Sequence, residues 1–125
     1  MPRLSSRELR IIRSMFIGEF GPTAPLLDQI ASLKFDARHM TGTGYYVTFL
    51  NAKQLPRLDQ LNTELSEDLR TSLEPPADLV GFTLFVRDGY MSSFEGYTFG
   101  DVRWPEEPME DWLIVDASVD SHPSD

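Results

Sequence analysis

The chain contains no cysteine, which excludes disulfides, thiolate metal sites and cysteine nucleophiles together. It has two histidines, His39 and His122. A histidine metal site or a serine–histidine–acid triad would therefore rest on His39, with partners that no spacing announces. Positive charge is scarce as well: 11 basic side chains stand against 20 acidic ones, a net charge of −9. Nucleic acid and anionic membrane surfaces attract proteins through lysine and arginine, so neither is expected as a partner. No apolar run approaches the ~20 residues of a membrane span. The first residues carry arginines without the apolar core of a secretory signal. These absences together predict a soluble, cytoplasmic protein without cofactor or metal.

What is present fits one domain. The 125 residues, 41% of them hydrophobic, are enough to bury roughly two-thirds of the unfolded surface in a single core. Charge is uneven along the chain. Residues 1–13 hold Arg3, Arg7, Arg10 and Arg13 against Glu8, whereas residues 101–125 hold eight carboxylates against Arg103. The expected domain spans 1–117, and the polar composition of 118–125 predicts a disordered acidic tail.

Ser5 followed three residues later by Glu8 is a capping-box pattern. Leu9, Ile12, Met15 and Phe16 continue it with helical spacing. Gly18 and Gly21-Pro22 are the expected stop. Thr23 then caps a second, shorter helix carrying Leu26, Leu27, Ile30 and Leu33. From Lys34 the period becomes two: Phe35, Ala37 and His39 alternate with Asp36, Arg38 and Met40. The turn Thr41-Gly42-Thr43-Gly44 leads into a strand over Tyr45–Leu50. Between residues 51 and 78, Leu58, Leu61 and Leu65 have helical spacing. A loop or short helical turn is expected there to about Glu67, then a strand from about Asp68 to Leu73.

The strongest pattern is Leu79 to Tyr97. Its first half is a β-branched and aromatic run, Asp88-Gly89 is a turn pair, and the strand pattern resumes at Tyr90. A three-residue loop sets Val86 opposite Tyr90 and Phe82 opposite Phe94, collecting Val80, Phe82, Leu84, Val86, Tyr90 and Phe94 on one face. A two-residue loop would shift this register by one. Trp112-Leu113-Ile114-Val115 suits a short strand or an arm packed on the sheet. The expected fold is α+β: two N-terminal helices on one face of an antiparallel sheet of about four or five strands.

The segment from Leu84 to Asp101 with Trp104-Pro105, which includes Val86-Arg87-Asp88-Gly89 and Glu95-Gly96-Tyr97-Thr98-Phe99-Gly100-Asp101, resembles the C-terminal hairpin of small uncharacterised bacterial proteins. Those read approximately LFVRDGxLxxLEGYTYGDxxWP. The resemblance implies a bacterial source and a sheet-containing domain. It carries no activity and no functional residue.

Gly42-Thr43-Gly44 leads into a strand rather than a helix, so it is a hairpin turn and not a phosphate cradle. The acidic stretch Glu106–Asp111 lacks the ligand spacing of a calcium loop. Tyr46, Glu95, Tyr97 and Trp104 are the candidate interaction or pocket residues. Aromatics beyond what one sheet face must bury suit either a protein contact or a thick aromatic core. Two functions follow. One is a non-enzymatic interaction protein that binds another protein, or its own copy, through a sheet edge or an aromatic face. The other is a small enzyme or ligand-binding domain, with Glu95, His39 and Tyr97 in a pocket between helices and sheet.

Overall fold

The computed structural model describes residues 3–21, 30, 33–50 and 62–114. The chain opens with helix α1, Ser6–Phe20. Ser5 is its N-cap: its hydroxyl accepts from the Glu8 amide at 3.2 Å, and the Glu8 carboxylate accepts from the Ser5 amide at 2.7 Å. The capping box thus satisfies two of the amides that a helix start leaves without partners. The helix runs through Gly18 and stops at Gly21, whose φ of 86° suits glycine and whose N–H donates to the Ile17 carbonyl at 3.0 Å. Ile11, Ile12, Met15 and Phe16 are buried, each fully sequestered side chain stabilising by about 1.5–3 kcal/mol. One N-terminal helix is described where two were expected. The second expectation falls on 23–33, of which only Ile30 and Leu33, both buried, are among the described residues.

Five strands form one antiparallel sheet: β1 His39–Met40, β2 Gly44–Thr48, β3 Thr63–Arg70, β4 Leu79–Arg87 and β5 Tyr90–Thr98, in the order β1-β2-β5-β4-β3. The fold is α+β, with α1 crossing one face. Glu8 of the helix bonds to Tyr45 of β2, and Ser14 bonds to Glu67 of β3. On this inner face lie Tyr45 and Val47, Leu65 and Leu69, Val80, Phe82, Leu84 and Val86, and Met91 and Phe94, all buried. Phe82 and Phe94 stack at 5.6 Å between centroids.

Two sequence expectations are corrected here. The β4–β5 loop has two residues, not three: Asp88 and Gly89 take φ of 52° and 82°, and Arg87 pairs with Tyr90. Asp tolerates the left-handed region because its side chain is short, so Asp-Gly can supply the two positive φ values of a tight hairpin turn. The facing nevertheless recovers, although the register does not: Phe94 lies opposite Leu84 and Phe82 opposite Gly96. Val86 faces Met91 and Phe85 faces Ser93, so Ser92 is an extra, bulged residue. Its carbonyl accepts from the Phe49 amide of the neighbouring chain segment at 2.9 Å. The bulge returns Phe94 to the inner face, opposite Leu84, and Met91 takes the buried place expected for Tyr90.

The second correction is β3, which begins at Thr63 rather than near Asp68. Leu65 and Leu69 are four apart, a spacing that one face of a helix and one face of a strand both allow. The strand expected from Lys34 is also shorter. Phe35 makes one bridge to Phe49 and is buried, but Ala37 and Arg38 lie outside β1, and His39 is exposed.

The last described segment is an arm, not a full strand. Trp104 donates its amide to the Gly42 carbonyl at 2.9 Å, and Leu113 bridges Thr71 at the end of β3. Trp104 and Trp112 meet edge to face at 5.2 Å, and Trp104 packs on Tyr45 and Phe82 of the inner face. Residues 115–125, including the expected tail at 118–125, lie outside the described residues.

Glu67 is the one carboxylate of β3 that points inward, half-buried beneath α1. Burial raises its pKa, Asp68 raises it further, and the Ser14 hydrogen bond works against both. A carboxyl whose folded pKa exceeds its unfolded value of about 4.3 holds its proton more tightly when folded. Stability from this group therefore grows as pH falls through the folded value and is lost as pH rises through it. Glu67→Gln should stabilise the protein at neutral pH, by well under about 1 kcal/mol because water screens the group. It should give no gain below about pH 4.3. Urea melts of both proteins at the two pH values test the sign.

Candidate functional site

The two faces of the sheet offer two different surfaces. The outer face is covered by no described element. Tyr46 of β2 pairs with Glu95 of β5, and Glu95 in turn with Thr83 of β4. Period two turns all three away from the core. Tyr46 is 40% exposed, and the His39 ring stacks on it at 4.8 Å. Tyr97 lies across Gly81: a Cβ added there would stand 2.6 Å from the tyrosine ring. Its hydroxyl is 3.3 Å from that of Thr83, which is 3.0 Å from that of Ser66. Phe99 meets Tyr97 edge to face at 5.7 Å and is itself exposed.

Glu95 has no ion-pair or hydrogen-bond partner among the described residues. Burial raises its pKa, and the negative charge of Glu64 on the same face adds to the rise. It is a half-buried carboxylate whose neighbours are an acid and aromatic rings.

On the inner side a cleft of about 560 Å³ opens between Arg38 and Met40 on one wall and the 103–110 segment on the other. Tyr45 and Trp104 line it too. Behind it sits a buried polar cluster. Glu8, with no side-chain exposure, takes Nε of Arg38 at 3.3 Å on Oε2 and Nη2 on Oε1, and accepts from the Tyr45 hydroxyl at 2.6 Å. Arg38 also lies over the Phe35 ring at 4.9 Å. Burial pushes the Tyr45 pKa well above its ordinary value, and the charge of Glu8 and the bond to it add to this, partly offset by Arg38. Tyr45 is thus held as a donor.

The four candidate residues separate. Tyr46, Glu95 and Tyr97 share the outer face with His39, and Trp104 lines the cleft on the other side. None of Glu95, His39 and Tyr97 lines that cleft. Sequence reasoning missed the cluster of Glu8, Arg38 and Tyr45. One signal was available: Glu8 precedes Ile12 by four, so its position falls on the apolar stripe of α1 as well as in the capping box. Arg38 lies 30 residues away and leaves no local mark.

Among the described residues no three acidic or histidine side chains converge to hold a metal, and no helix is long and apolar enough to cross a membrane. Compared with family models, with curated proteins and with solved structures, the chain matches none. The resemblance carried by residues 84–105 therefore rests on those residues alone.

Proposed function

We propose that this is a cytosolic, non-enzymatic protein-binding domain whose outer sheet face docks a basic partner. The observation that carries the reading is Glu95, half-buried and unpaired among the described residues, on a face that also presents exposed Tyr46 and Phe99 and half-buried Tyr97. A partner's lysine or arginine laid on this face would neutralise Glu95 and cover Tyr46, Tyr97 and Phe99. Aromatic rings bring large contact area for little lost conformational freedom.

The face is favoured over a sheet edge. β3 carries four charged side chains, Glu64, Glu67, Asp68 and Arg70, among its eight residues, the kind of edge that discourages strand addition. β1 offers only two residues for pairing. A heterologous partner is favoured over a second copy, because two such faces would oppose Glu95 to Glu95 within a chain of net charge −9.

The test is a pull-down at low salt from the host cell, comparing the parent with a Tyr46→Ala, Glu95→Arg double variant. The parent should retain a basic protein, and the variant should lose it with unchanged thermal stability. Equal retention, or no partner on the parent, would sink the proposal. A dimer by light scattering that the variant abolishes would move it to self-association.

A further inference from the structure

We infer that the cleft between Arg38 and the 103–110 segment binds a small monocarboxylate with an apolar body. Its volume of about 560 Å³ lies within the ~300–1,000 Å³ of small-molecule sites. It sits on the other side of the sheet from Glu95, so this inference stands or falls apart from the proposed docking face.

The argument starts from the orientation of Arg38. Burying a carboxylate against a guanidinium contributes little net stability, because desolvation offsets the attraction. What the arrangement does supply is a fixed direction. Glu8 holds the Nε and Nη2 side of the group, the Phe35 ring lies against its face, and Nη2 also donates to the Arg3 carbonyl at 3.4 Å. Nη1, on the side of the planar group turned from Glu8, makes no hydrogen bond among the described residues. The side chain is 36% exposed and lines the cleft. A guanidinium held with donors to spare is the usual anchor for a carboxylate, which it recognises by geometry as well as by charge. Arg103, exposed and without an ion-pair partner among the described residues, supplies a second positive charge at the cleft wall.

The rest of the lining defines the body of the ligand. Met40, Trp104, Pro105 and Met109 contribute mainly apolar side chains to the lining. The wall is held in place: the Trp104 amide is tied to Gly42, and the Trp112 indole N–H donates to the Glu107 carbonyl at 2.9 Å. Pre-formed walls lower the ordering cost of binding. Glu106, Glu107 and Glu110 stand exposed at the rim. Three negative charges there oppose every anion and a polyanion most, which restricts the ligand to a single charge held by the guanidinium.

Trp104 and Trp112 are the only tryptophans, so indole fluorescence reports on this cleft. The probes are 4-phenylbutyrate, its neutral amide and inorganic phosphate. The acid should change the fluorescence saturably at millimolar concentration or below. The amide should bind roughly ten- to hundredfold more weakly, the ratio carried by a charge-assisted hydrogen bond. Phosphate should not bind. Arg103→Gln, an exposed substitution, should weaken the acid while leaving the amide unchanged, and Arg38→Lys should weaken it more. An amide that binds as tightly as the acid, a phosphate that competes with it, or an acid without saturable effect on the parent overturns the inference. All three readings need only the parent protein, so a misfolded Arg38 variant does not protect it.

Discussion

Arg38→Ala is expected to lower the unfolding free energy by about 3–5 kcal/mol, the cost of leaving a buried charge without its partner. Glu8 has no exposed side-chain surface and cannot turn to water, whereas Arg38 is 36% exposed. The asymmetry predicts an order. Arg38→Ala, which strands the buried member, should be more damaging than Glu8→Gln, which leaves a guanidinium able to reach solvent. Replacing the cluster as a whole, with Glu8→Met, Arg38→Met and Tyr45→Phe, should recover most of the loss, because no polar group is then left buried without a partner. Urea midpoints at unchanged m-value measure all three. A triple variant no better than Arg38→Ala would show that the cluster stabilises the fold directly rather than orienting Arg38.

The second large effect is expected at Gly44 and Gly96, where β2 and β5 run side by side. A Cβ on Gly44 would stand 2.1 Å from the Gly96 carbonyl oxygen, a main-chain atom held in the sheet. Gly44→Ala should therefore cost at least about 3 kcal/mol, at the upper end of overpacking, since strands rather than side chains must separate. A Cβ on Gly96 would meet the rings of Phe82, Trp104 and Tyr45 at 2.8–2.9 Å. Those rings pack edge to face, Tyr45 on Trp104 at 5.4 Å and Phe82 on Trp104 at 6.1 Å, and each has neighbours behind it. Gly96→Ala should cost about 1–3 kcal/mol. It should also alter the indole fluorescence, which Gly44→Ala should change far less. The contrast separates a strand clash from disturbed aromatic packing.

The hairpin shows how far local pattern reaches. Asp88-Gly89 and the alternation on either side of it were enough to predict β4, β5 and the turn between them. They were not enough to predict the register, because the two-residue loop and the Ser92 bulge each displace the pairing by one in the same sense, and the two steps together restore the facing of Phe94 while moving its partner from Phe82 to Leu84. A bulge leaves no mark in composition; it forms where a neighbour receives the extra residue, here the Phe49 amide. The same limit applies to β3, where leucines four apart are compatible with either period.

Of the candidate residues, the sequence justified naming Tyr46, Glu95, Tyr97 and Trp104 as aromatics and an acid near the strongest strands. The strand period also set Glu95 on the face opposite Phe94, but it could not place Trp104, which follows the turn after β5 and reaches the core with its amide fixed to Gly42.

Composition and spacing alone determined the class of this molecule: no thiol chemistry, a net negative charge, a capped helix at the start and an antiparallel hairpin in the second half. These follow from residue type and from contacts a few positions apart, which a linear reading can see. Tertiary structure decided which carboxylate is buried, which arginine is aimed, and where a cleft opens. Glu8, Arg38 and Tyr45 converge from three separate parts of the chain, and their electrostatics exist only once the first turn of α1 meets Tyr45 of β2.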